Sequence, residues 1–167
     1  MTECLRLTPS ELPRLCGQTL GPTDWKEITQ THINQFAEAT GDKQWIHIDP
    51  ERAAKESPFR KKTVAHGYFT LALLPDFFFS MLEVDGCRLI VNLGADKITW
   101  PAPVRIPSRV RLVALVQSVT PVEGGVDLCL KMTIEVEKQR RPALEAEVTY
   151  RYYVRESASS GEQSAQP

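Results

Sequence analysis

The sequence predicts an α+β fold in which a curved antiparallel sheet wraps around one long, very apolar helix. Three observations predict it. The first half of the chain reads as helices and loops, and the second half as strands. Those strands alternate apolar with polar residues, the pattern of an antiparallel sheet with one solvated face. Between the halves lies GYFTLALLPDFFFSML, residues 67–82, which is apolar on nearly every side and needs burial all round. A sheet curled about that helix buries both. At 167 residues the chain fits one domain, taken as residues 1–156, with a polar tail SASSGEQSAQP from Ser157 that is expected to be disordered. A curled sheet leaves an edge, so a homodimer or larger homo-oligomer is expected to pair two such edges.

Each element follows from its residues. The first twenty or so residues, punctuated by Pro9, Pro13, Gly17, Gly21 and Pro22, read as a lead-in, and residues 24–28 as a short extended stretch. In QTHINQFAEATGD, Ile33, Phe36, Ala37 and Thr40 recur at helical spacing, and Gly41 is placed to end that helix in the left-handed region. Residues 42–48 read as a loop. Asp49 is a cap and Pro50 a first helical residue for the short helix ERAAKES, which Ser57-Pro58 stops. FRKKTVAHG is a polar connection into the core helix. CRLIVNLGADKITW is a long strand with a bulge or bend at Gly94, ended by Pro101 and Pro103. Residues 109–119 place Val110, Leu112, Ala114 and Val116 on one face, and PVEGG turns a hairpin. The next strand sets Leu128, Leu130, Met132 and Ile134 against Asp127, Cys129, Lys131 and Glu135. After QRRP, the last strand puts Leu144, Ala146, Val148, Tyr150 and Tyr152 on one face.

Composition narrows the function. With 20 basic and 21 acidic residues the net charge is −1, which gives no field for nucleic acid or an anionic membrane, although local cations still suffice for a small anion. Residues 67–82 are shorter than the ~20 needed to span a bilayer and are interrupted by Pro75-Asp76. Cys4, Cys16, Cys87 and Cys129 form no CxxC pair, so neither a disulfide framework nor a zinc site is expected, and free thiols suit a reducing cytoplasm. The segment MTECLRLTPSELPRL lacks the long apolar run of a signal peptide.

Two constellations have the residue types for catalysis. Asp42 and His47 share the loop TGDKQWIHID, where carboxylate and imidazole can converge on one water and divide the roles of acid and base. The plainer reading is a turn capped by Asp42, with His47 packed on Trp45. His66-Gly67 opens the core helix, where unpaired amides favour an oxygen that gains negative charge. The plainer reading there is a helix start with Gly67 present for close packing. Pro75 either widens a tunnel along the helix by kinking it or simply lets it bend, and Phe77, Phe78 and Phe79 read as core. Arg60, Lys61 and Lys62 form a small basic run able to meet phosphates or face solvent, with Arg105, Arg109 and Arg111 competing for that role.

The segments FAEATGDKQWIHIDPERA, VAHGYFTLALLP and LGADKITWPAPVRIPSRVR resemble the MaoC-like dehydratases, near the NodN-like branch, a family that includes the (R)-specific enoyl-CoA hydratases. The resemblance covers about residues 17–153. It implies a hot-dog fold, at least a homodimer, and an acyl-thioester substrate on coenzyme A or an acyl carrier protein. It also implies no cofactor beyond the coenzyme A of the substrate, and no metal. By this likeness Asp42 and His47 are the catalytic pair, Gly67 and His66 are the oxyanion and substrate-binding residues, and Gly67 supplies the oxyanion-hole amide. Two departures stand out. The common loop has Asn-Pro before the hydrophobe and His, where this chain has Gln44-Trp45-Ile46-His47. Where some members carry a serine on the core helix, this chain has Pro75. The expected reaction is reversible hydration of a trans-2-enoyl-CoA to the (R)-3-hydroxyacyl-CoA. A hot-dog thioesterase and a non-catalytic acyl-thioester-binding or partner subunit are the alternatives. Which of Asp42 and His47 is acid and which base is open at this point, as are chain length and carrier.

Overall fold

A computed structural model describes residues 4–154 of the protein. The expected tail from Ser157 lies outside them. The chain begins with β1 (Leu5–Leu7), a 3-10 helix (Pro9–Leu15), β2 (Thr19–Leu20) and β3 (Lys26–Ile28). The lead-in is therefore ordered structure. Leu12 and Leu15 reach the core, and Thr8 and Glu11 bond reciprocally at the start of the 3-10 helix. Three residues per turn over seven residues leave little periodic signal, which hid this element in the sequence.

Next come α1 (Gln30–Thr40), α2 (Trp45–Ile48) and α3 (Pro50–Glu56). Thr29 caps α1 and Gly41, at φ 79°, ends it in the left-handed region a side chain would strain. Residues 42–48, expected as a loop, contain the single turn α2. Asp49 caps α3 by accepting from the Arg52 amide at 2.9 Å.

The segment expected as one long central helix is two short ones, α4 (Gly67–Ala72) and α5 (Leu74–Met81), meeting at Leu73. The cause is Pro75, which lacks an amide hydrogen and fits only the first turn of a helix, so the second helix restarts beneath it. Leu74, Phe77, Phe78 and Met81 are buried, and the Phe78 ring stacks on Tyr150 at 5.4 Å and 5°.

β4 (Leu82–Val84) pairs in parallel with β1, and the chain then enters β5 (Cys87–Thr99), β6 (Ser108–Val122), β7 (Gly125–Val136) and β8 (Leu144–Val154). These form an antiparallel sheet in the order β2-β6-β7-β8-β5, with β3 also on β6. Register lines up the apolar face: Leu112 sits opposite Ile134, and Ile134 opposite Leu144, all fully buried. The expected irregularity at Gly94 is a register shift after Asn92, whose side chain accepts from the Gly94 amide. This is a single hot-dog-like domain, an antiparallel sheet packed on helices. No helix among the described residues is long and apolar enough to cross a membrane.

Tyr150 and Tyr152 carry the apolar face of β8 into the core, and neither buried hydroxyl meets a partner among the described residues. Burial pushes the Tyr150 phenol up to about 12. An unpaired buried hydroxyl is a net cost, so Tyr152→Phe is expected to raise stability by about 1 kcal/mol. Thermal unfolding should then show a melting point roughly 2–4 °C higher; a lower one would mean the hydroxyl has a partner.

Candidate active site

The site is assembled where α1 ends, α2 turns and α4 begins. The left-handed Gly41 releases the chain from α1, leaving the Asp42 carboxylate exposed beside the following turn. His47 lies on α2, buried, and its Nδ1 is 2.7 Å from the Val64 carbonyl. A carbonyl only accepts, so Nδ1 carries the hydrogen and Nε2 keeps its lone pair. The turn itself is pinned. The Val64 amide donates to the Ile46 carbonyl at 3.0 Å, and the Gln30 amide donates to the His47 carbonyl at 2.6 Å. Gln30 in turn accepts from the Thr63 hydroxyl at 2.7 Å.

His66 is stacked behind His47, with ring centroids 3.8 Å apart and planes 24° from parallel, and Phe36 packs 5.0 Å from its centre. Its Nε2 donates to the Asp42 backbone carbonyl at 2.9 Å, while Nδ1 is buried without a partner. One ring therefore touches both members of the expected pair. The nearest side-chain donor atoms of Asp42, His47 and His66 all lie within 4.8 Å of one another. Stacked imidazoles hold their lone pairs in nearly parallel planes, an arrangement poorly suited to a single metal ion.

A cavity of about 300 Å³ opens against this cluster, and its walls include His47, Phe59, Gly67, Thr70 and Trp100. Gly67 is both close-packed and cavity-facing. The Trp100 indole donates to its carbonyl at 2.9 Å, and a Cβ at position 67 would stand 2.9 Å from the indole ring. Thr70, in α4, is buried and donates to the same carbonyl at 2.6 Å. Pro75 lies apart, in a hollow with Tyr68, Leu71 and Asn92, so the hydroxyl at the cavity comes from Thr70. Sequence reasoning missed Thr70, Gln30 and Trp100. A threonine three residues after Gly67 in a largely apolar run was the one sequence signal for any of them.

Arg60, Lys61 and Lys62 are exposed and directly follow the cavity-lining Phe59. Lys61 donates to the Lys55 carbonyl, while Lys62 lines a separate hollow with Arg109. Arg109 is ion-paired with Glu137 and Arg111 with Glu135.

Burial holds the His47 imidazole below its ordinary value of 6.5, the neighbouring His66 adds to that, and the Val64 carbonyl and Asp42 oppose it. The His47 imidazole is thus neutral at neutral pH.

The profile of the MaoC-like domain matches residues 12–138. The chain belongs to the MaoC-like dehydratase family. That membership makes it a hydro-lyase. The 3-hydroxyacyl-thioester dehydratase Z of Mycobacterium tuberculosis is 45% identical over 86% of this MaoC-like chain and 94% of its own. Nodulation protein N of Rhizobium leguminosarum is 41% identical over 84% of this chain and 88% of its own. The crystal structure of a MaoC-like dehydratase from Rhodospirillum rubrum superposes with a TM-score of 0.67 at 19% identity, covering 84% of this chain and 93% of that one.

Proposed function

We propose that this MaoC-like dehydratase reversibly hydrates a trans-2-enoyl-CoA to the (R)-3-hydroxyacyl-CoA, with Asp42 and His47 as the catalytic pair. The observation that carries the reading is the free Nε2 of a neutral, buried His47 on the wall of an apolar cavity, beside the Asp42 carboxylate. A water held between them loses a proton to Nε2 as its oxygen bonds to C3, and Asp42 orients the water by accepting its other hydrogen. The π electrons move through C2 onto the thioester oxygen. The Gly67 amide, in the first turn of α4 where no helical carbonyl reaches it, donates to that oxygen. The imidazolium then returns the proton to C2. One water has been added, and no electron carrier enters the balance. Because α4 is only six residues long, the local amide carries this stabilisation, with little help from a helix dipole.

His66 serves this site from behind the pair, and Arg60 and Lys62 are the members of the basic run available to the carrier's phosphates. The edge of β5, bonded on one side to β8 and presenting exposed Leu89 and Leu93, suits pairing with a second copy in a homodimer. A cytoplasmic setting fits the four free thiols.

Activity is expected to fall on the acid side as His47 takes a proton, with the midpoint of kcat/KM below 6.5. The sign for stability is the same. The unfolded chain binds that proton more readily, so stability drops as pH falls through 6.5. A profile whose acid limb lies above 6.5 would rule out neutral His47 as the base. The reading as a whole is tested with crotonyl-CoA, following enoyl-thioester absorbance and free thiol together. Loss of absorbance without thiol supports hydration, thiol release indicates a thioesterase, and saturable binding without turnover indicates a non-catalytic subunit.

A further inference from the structure

We propose that the basic loop joining β7 to β8, with Trp25, forms a seat for the phosphorylated nucleotide end of coenzyme A. The inference rests on the enoyl-CoA reading and extends it to the part of the substrate remote from the reacting carbons. The loop KQRRP, residues 138–142, borders a hollow of about 340 Å³ on the outer side of the sheet, together with Trp25 and Arg111. Three contacts fix its ends. The Glu137 amide donates to the Arg109 carbonyl at 2.9 Å, the Gln139 amide to the Val136 carbonyl at 3.1 Å, and the Ala143 amide to the Ile134 carbonyl at 2.8 Å.

The hollow adjoins the catalytic cavity at the level of single residues. Pro142 lines the hollow and the next residue, Ala143, lines the cavity with His47. On its other side Lys138 lines both this hollow and the next, where it meets Lys62. A basic strip thus runs from Lys62, in the segment that follows the cavity-lining Phe59, through Lys138, to Arg140 and Arg141.

The strip attracts an anion even in a chain of net charge −1. Glu135 and Glu137 in these hollows are taken up by Arg111 at 2.7 Å and Arg109 at 3.2 Å, which leaves Glu27 as the remaining carboxylate. The side chains of Lys62, Lys138, Arg140 and Arg141 have no ion-pair or hydrogen-bond partner among the described residues, and all four residues are exposed. Four unpaired cations outnumber that one acid. Guanidinium forks suit phosphate, and Trp25, with the Arg111 guanidinium 4.4 Å over its ring, offers flat surfaces for a purine. A concave seat of this size takes a nucleotide. The helix of a folded carrier protein would need an open, flat patch.

The experiment titrates the full chain with adenosine 3′,5′-bisphosphate by calorimetry, for wild type and for the double variant Arg140→Ala, Arg141→Ala. Saturable binding by the wild type, weakened at least tenfold in the variant, is the expected result. In parallel, the variant should raise KM for crotonyl-CoA about tenfold, with kcat unchanged, and leave KM for crotonyl-pantetheine as it is; a tenfold change corresponds to about 1.4 kcal/mol. No binding by the wild type, equal binding by both proteins, or equal KM changes on both thioesters would overturn the proposal. So would turnover of a crotonyl carrier protein in the absence of any with crotonyl-CoA. If neither thioester is hydrated, the enoyl-CoA reading has failed, while the titration still reports on the seat by itself.

Discussion

His47→Ala is expected to lower kcat for enoyl-thioester hydration by roughly 10²–10⁴-fold, the usual worth of a positioned acid–base group. The size follows from the lack of a substitute. His47 is the imidazole on the cavity wall, and the adjacent His66 has Nε2 committed to the Asp42 carbonyl and Nδ1 enclosed. The alanine variant also loses the bond to the Val64 carbonyl and the ring stack, so part of any loss is structural. His47→Asn separates the two effects. Its side-chain amide can still donate to Val64 but offers no basic nitrogen, so it should fold like the wild type by circular dichroism and be as inactive as alanine. Substantial turnover by a folded His47→Asn protein would remove His47 from the mechanism.

Phe78→Ala carries the largest expected effect on stability, about 3–5 kcal/mol, because it deletes a whole ring from the centre of the core. Phe78 is fully buried, and its ring lies flat on Tyr150 of β8, where the helical segment meets the sheet. In thermal unfolding that loss corresponds to a fall of roughly 6–20 °C. Phe79, next in sequence and 41% exposed, is the internal comparison. Phe79→Ala should cost much less in dilute protein, since much of its surface already faces solvent. Equal losses at the two positions would mean that α5 is turned differently on the sheet.

These two side chains show what was legible in the sequence. β6, β7 and β8 could be read because each is long enough for the two-residue period to repeat, and every residue it assigned to the inner face from Val110 to Val116 is buried. Gly41 could be read because a helix end in the left-handed region leaves a residue-type signature. The break at Leu73 could not be placed. Pro75 is consistent with a kink in one helix or with the first turn of a second, and the packing of Phe77 and Phe78 decides between them. The one-turn α2 and the 3-10 helix were too short to show a period.

At the site, the spacing of Asp42 and His47 and the pair His66-Gly67 were visible as motifs, and the family resemblance gave them meaning. Their geometry was not visible. The bond His47 donates to the Val64 carbonyl, which leaves Nε2 free, the brace from Gln30 and the Trp100 indole on Gly67 join residues 17 to 33 positions apart. Such contacts arise only once the helices and sheet are packed. His66 shows this most clearly, since the resemblance set it with Gly67 at the substrate and only the fold reveals its ring stacked on His47.

The central claim is that Asp42 and His47 deliver one water across a 2,3 double bond. The most direct test is to identify the product made from crotonyl-CoA in deuterium oxide by nuclear magnetic resonance and chiral analysis. The expected product is (R)-3-hydroxybutyryl-CoA with one deuterium at C2, the thioester intact, formed by the wild type and absent with Asp42→Asn or His47→Asn. Crotonate and free coenzyme A, or the same hydrated product from both folded variants, would contradict it.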